Sequence, residues 1–221
     1  MNHLYRTLTL SVLAILGACK SSAPASEADA TTSAMATYRA EMAKSISVAK
    51  SMITAMNAVV TEADKDPRPA FGSFTQEISS LEAQAARTRA SRDAMRAQGQ
   101  SYFQNWEAQL AQITNPEIKK RVEARKAELS TKYGKIREYT DTLAENAQTF
   151  MANVKDLHKA LSVDLSPAGI KGSAGLIKQF STEGNKVIQQ AEGAMKVVDE
   201  VAAVLQVKVA PPPPPAEQPK K

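Results

Sequence analysis

The sequence predicts an all-α fold, an antiparallel four-helix bundle packed in the manner of a coiled coil. Three observations carry this. Val122, Leu129, Ile136, Leu143, Phe150 and Leu157 recur every seven residues, with Tyr133, Ala147, Val154 and Leu161 four positions after the matching members. Aromatic residues make up only 5 % of the chain and alanine is abundant, which suits closely approaching helices better than sheets. Proline-containing breaks at Pro67-Arg68-Pro69, Asn115-Pro116 and Ser166-Pro167 divide residues 34–207 into four segments.

The first helix is expected near 34–64, where Met42, Ile46, Ala49, Ile53, Met56 and Val60 alternate at spacings of four and three. Ser73 and Gln76 form a capping-box pattern that predicts the start of the second helix, with Phe74, Ile78, Leu81, Ala85, Met95, Tyr102, Trp106 and Ile113 on its apolar stripe. Arg92 interrupts that stripe and is expected to snorkel, its stem covered and its head in water. Asn115-Pro116-Glu117 supplies an N-cap, a proline at the first helical position and an acid in the first turn, so a third helix starts there. Ser166-Pro167 starts a fourth, whose stripe includes Ile177, Phe180, Val187, Ala191, Val198 and Leu205. Gly169, Gly172 and Gly175 predict a loose first turn there, since glycine weakens a helix interior by about 1 kcal/mol. Short connections make sequential helices antiparallel neighbours. The rival arrangement is an elongated pair of hairpins completed by self-association.

The two ends read differently. Arg6 precedes an apolar run from Leu8 to Ala18, too short to span a bilayer and of the length of a secretory signal. Leu16-Gly17-Ala18-Cys19 resembles the lipobox of bacterial lipoproteins, which implies removal of residues 1–18 and acylation of Cys19, the only cysteine. An ordinary signal peptide with an incidental cysteine is the alternative. Residues 19–33 comprise the acylated cysteine and a small, polar segment expected to be a flexible tether reaching about 20 Å. Residues 208–221 form a Pro-rich tail in which Pro211 to Pro215 impose a polyproline rod. Its terminal Lys221 offers an amine for attachment to peptidoglycan. Lys20 directly after the acylated cysteine, where an aspartate would signal retention in the inner membrane, implies the periplasmic face of the outer membrane.

The stretch from Tyr102 to Ile170 reads YFQNWEAQLAQITNPEIKKRVEARKAELSTKYGKI and, further on, DLHKALSVDLSPAGI. It resembles the bacterial lipoprotein family catalogued as domain of unknown function 2959 in its YFxxWE, its I-x-N-P/E turn, its R-x-x-x-R helix and its ALSxDLxPAG ending. The resemblance spans helices two to four, about half the chain. It implies an exported, all-helical protein and brings no reaction or catalytic residue.

Composition narrows the function classes. With Cys19 acylated and His3 removed with the signal, His158 is the one histidine and no thiol remains. There is no G-x-S-x-G elbow and no His or Cys cluster at metal-ligand spacing, so no enzyme activity, metal or cofactor is expected. Met35, Met42, Met52 and Met56 lie in the apolar stripe of helix one and are expected to fill core rather than bind Cu(I). The formal net charge of +5 is modest, and an exported protein does not meet the genome, so nucleic acid is not an expected partner. The charge is unevenly spread: Arg87 to Arg137 holds twelve Lys or Arg against five Asp or Glu. Helical pairs such as Glu117–Arg121 and Glu128–Lys132 account for part of it. The surplus nominates Arg87, Arg89, Arg96, Lys119, Lys120, Arg121, Arg125 and Lys126 as a basic surface facing anionic headgroups. The expected function is a structural or scaffolding lipoprotein of the envelope. The alternative is a periplasmic module binding a lipid or other apolar ligand between its helices.

Overall fold

A computed structural model describes residues 24–206. The signal, Cys19, Lys20 and the Pro-rich tail lie outside the described residues. The described residues form four helices, α1 (Pro24–Thr61), α2 (Arg68–Leu110), α3 (Pro116–Val163) and α4 (Pro167–Leu205). They pack as a ring: α1 touches α2 and α4, and α3 touches α2 and α4. Neighbours run antiparallel, as cross-helix pairs record. Gln98 reaches Glu27 (3.3 Å) while Gln84 reaches Glu41, and Arg39 pairs with Asp199 (2.7 Å) while Lys171 pairs with Asp64 (2.7 Å). This is the expected up-down bundle; the α1–α4 and α2–α3 contacts exclude two separate hairpins.

The breaks lie where the prolines put them, with two corrections. The N-terminal tether is not flexible through residue 33: α1 begins at Pro24, and Ala28 and Thr31 are buried. Ala28, Thr31 and Met35 continue the stripe at spacings of three and four. Thr31 enters the core because its hydroxyl donates back to the Glu27 carbonyl (2.8 Å) and needs no water. Helix α2 starts at Arg68, not at Ser73. Asp66 accepts from the Arg68 backbone N–H (3.2 Å) and grips the Arg68 guanidinium, and Pro69 sits in the first turn, where its missing N–H would have had no partner. Ser73 Oγ donates to the Pro69 carbonyl (3.1 Å), so the capping box does not form.

At α3 the expectation holds: Asn115 Oδ1 accepts from the N–H groups of Glu117 (3.0 Å) and Ile118 (3.1 Å). Ser166 caps α4 through the Gly169 N–H (3.2 Å), and the glycine run is regular helix rather than a loose turn. Gly169 is demanded sterically, since a Cβ there would lie 2.5 Å from the Asp164 carboxyl.

Two apolar cores fill the bundle. One joins Met52, Met56, Phe74, Val154, Leu161 and Ile170 near the α1–α2 and α3–α4 turns. The other joins Met35, Tyr38, Met95, Leu129, Ile136 and Val198 toward the α2–α3 turn. The four methionines of α1 are all buried, as flexible core fillers.

Candidate functional site

The charged residues nominated from sequence do not share one face. Lys119, Lys120, Arg121, Arg125 and Lys126 occupy the first turns of α3, at the bundle end where α1 begins. Arg125 pairs with Glu128 (2.7 Å), which also binds Lys132 (2.8 Å), and Lys126 pairs with Glu107 (2.8 Å). The Glu117–Arg121 pair does not form. Among the described residues no carboxylate lies within ion-pair distance of Lys119, Lys120 or Arg121. Beside them Ile118 is 52 % exposed.

Arg87, Arg89 and Arg96 belong elsewhere. They precede the end of α2 by enough residues to sit roughly 35, 32 and 21 Å along the helix from that end at 1.5 Å per residue. Arg87 donates through Nε (3.0 Å) and a terminal nitrogen (2.7 Å) to Gln84 Oε1. Arg96 crosses to α3, donating to Asp141 (2.6 Å) and Thr140 Oγ1 (2.8 Å), while its buried Nε has no partner among the described residues. One linear stretch of basic sequence is thus split by helix geometry into a terminal cluster and a mid-bundle set.

Of that mid-bundle set Arg89 lines a cavity of about 470 Å³, to which Arg92 also contributes. All four helices contribute, α2 and α3 being the neighbouring pair with the fewest contacts. Two ion pairs cross these helices, Glu82 with Lys155 in the cavity lining and Arg96 with Asp141 just past the lining residues Arg92 and Thr140. The two pairs lie fourteen residues apart on either helix, a separation of roughly 21 Å at 1.5 Å per residue. The walls are small, with Ala85 and Ala86 on α2 facing Ala144 and Ala147 on α3; Ile46, Ile188 and Phe150 line the interior. Gly184 belongs to the same lining and lets Phe150 approach, for a Cβ there would meet its ring at 2.7 Å. Leu143, central in the sevenfold series, is therefore only partly covered, whereas Leu129, Ile136, Phe150 and Leu157 are buried.

One end of the cavity is polar. Tyr38 lines it at 2 % exposure, and no hydrogen bond among the described residues involves its hydroxyl. Burial pushes that phenol up to about 12, against the pull of nearby Arg92 and Arg96. Arg92 is mostly covered and turns its guanidinium to the exposed carboxylate of Asp93 (3.1 Å), the expected snorkelling arrangement. Arg89 lines the cavity from an exposed position and has no carboxylate within ion-pair distance among the described residues. Behind them the buried Gln84 donates to Glu41 Oε2 (2.8 Å) and the Glu41 carbonyl (3.1 Å), fully using its amide. With Lys44, it holds the Glu41 carboxyl below the usual carboxylate range. Neither Tyr38 nor Gln84 belongs to a sequence motif; the one signal is that Gln84 lies in phase with Leu81.

His158 is a packing residue. Its ring stacks on Phe71 (centroids 4.8 Å apart), meets Phe74 edge-on, and Nε2 lies 2.8 Å from Thr75 Oγ1. Burial pushes its pKa down. Among the described residues no His, Cys, Asp and Glu converge as a metal-binding group, and no helix is long and apolar enough to cross a membrane. No protein-family model matches the chain, nor does any curated protein or solved structure.

Proposed function

We propose that this protein is a lipid-anchored scaffold of the bacterial envelope, held through acylated Cys19 on the periplasmic face of the outer membrane, with no catalytic activity. The observation that carries the reading is the position of the α3 basic turns at the same bundle end as the start of α1. Cys19 precedes Pro24 by five residues, a span of at most about 18 Å at full extension. A bundle tied so closely would bring Lys119, Lys120 and Arg121 toward anionic headgroups, each adding about 1 kcal/mol near the surface. The likeness of residues 102–170 to a lipoprotein family supports the same assignment. The engagement of His158 with Phe71 and Thr75 fits a non-catalytic role. Cell fractionation tests the reading: Cys19→Ser should move the protein from the membrane to the soluble fraction. A Cys19→Ser chain that still sediments with outer membranes after a high-salt wash defeats it.

A second reading, a module that holds an apolar ligand, is favoured by the groove between α2 and α3. Lipid extraction and mass spectrometry of the protein purified from its host separate the two, because a scaffold carries no stoichiometric ligand.

A further inference from the structure

We propose that the α2–α3 groove binds a single acyl chain ending in an anionic group, with Arg89 and Arg92 holding that group. The proposal rests on the ligand-binding reading above and names its ligand class.

Size comes first. A cavity of about 470 Å³ falls within the roughly 300–1,000 Å³ of small-ligand sites. Its lining runs from Leu81 to Arg92 on α2, roughly 16 Å, and from Thr140 to Lys155 on α3, roughly 22 Å, against about 15 Å for one leaflet's share of a 30 Å hydrocarbon core. One chain and its head therefore fit end to end. Shape selects a chain over a helix. An inserted helix, about 10 Å across, would force α2 from α3 and break both ion pairs between them, whereas a chain lies between Ala85, Ala86, Ala144 and Ala147.

Charge sets the direction. At the Glu82 end the carboxylate is already matched by Lys155. At the other end the carboxylates are engaged as well, Asp141 by Arg96 and Arg137 and Asp93 by Arg92. Arg89 remains unmatched among the described residues, and the Tyr38 hydroxyl has a hydrogen bond to give. An acceptor-only head there gives Arg89 and Tyr38 their partner and takes donors that Arg92 does not spend on Asp93; an uncharged head leaves the Arg89 charge uncompensated.

The test uses the full 221-residue chain carrying Cys19→Ser, so that no acyl group of its own competes, titrated calorimetrically with dodecanoate, dodecyl phosphate and dodecanol. One-to-one binding of an anionic amphiphile is expected, at least tenfold tighter than dodecanol, and the tighter of the two names the head. Arg89→Gln, at an exposed position, should weaken it at least tenfold without altering dodecanol binding. Ala147→Phe, with helicity checked by circular dichroism, should abolish both. Equal affinity for dodecanol and the anions overturns this assignment and leaves the apolar-ligand reading standing. Absence of binding by all three overturns both.

Discussion

The hydroxyl of Tyr133 on α3 donates to the carbonyl of Met95 on α2 (2.7 Å), and the same ring lies over Gly99, where a Cβ would come within 2.1 Å of it. Here α2 and α3 come into close contact. Phe103 meets the Tyr133 ring edge-on (5.7 Å), and burial raises the phenol to about 12. The ring can leave Gly99 only by breaking its hydrogen bond.

Gly99→Ala should destabilise the bundle by about 1–3 kcal/mol, the range for overpacking, despite the helix propensity gained. Gly134→Ala, one position beyond Tyr133 with nothing within 4 Å of a Cβ, should stabilise by about 0.5–1 kcal/mol. Urea unfolding of both variants checks the opposite signs; equal effects mean that Tyr133 does not pin Gly99.

Along α3 the cost of truncation should follow the groove. Leu161→Ala, at a fully buried position, is expected to cost about 2–5 kcal/mol. Leu143→Ala removes a partly covered side chain from a cavity wall and should cost nearer about 1 kcal/mol. Equal costs would show that the groove is closed in solution.

His158 gives the fold a mild acid sensitivity. Its folded pKa lies below the unfolded value of about 6.5, so the unfolded chain binds the proton more readily. The contribution is present above about pH 6.5 and is lost as pH falls through the folded pKa. His158→Phe, which keeps a ring on Phe71, should flatten stability between about pH 7 and 5. Glu41, Asp66, Glu128 and Asp164, all lowered, add their own losses only in the carboxylate range, below about pH 4.5.

The terminal cluster should act on membranes and the mid-bundle arginines should not. In the Cys19→Ser chain, replacing Lys119, Lys120 and Arg121 by Gln should weaken sedimentation with anionic vesicles by about 1 kcal/mol each, roughly two decades in all. Arg87→Gln with Arg89→Gln should change it less than about threefold, being some 30 Å along the bundle. Vesicle binding that drops equally for both sets contradicts the division of charge.

The sequence by itself determined the four helices, their breaks at Pro67–Pro69, Pro116 and Pro167, the caps at Asn115 and Ser166, and the buried line through Leu129, Ile136, Phe150 and Leu157. These are local: a missing N–H, a side-chain acceptor or a repeat of seven acts within one or two turns of its own helix. Where α1 begins was not legible, because small polar residues from Pro24 to Ser33 read as a linker, and only the folded bundle buries Ala28 and Thr31. Nor was the groove. A run of alanines can close two helices together or leave a channel, and α2–α3 separation decides between them. Tyr133 over Gly99 brings the helices together toward one end and Glu82 with Lys155 ties them at the other, leaving Ala85, Ala86, Ala144 and Ala147 too short to fill the space between. Only the tertiary structure sets that distance, and with it which arginines face a cavity and which remain at the bundle end.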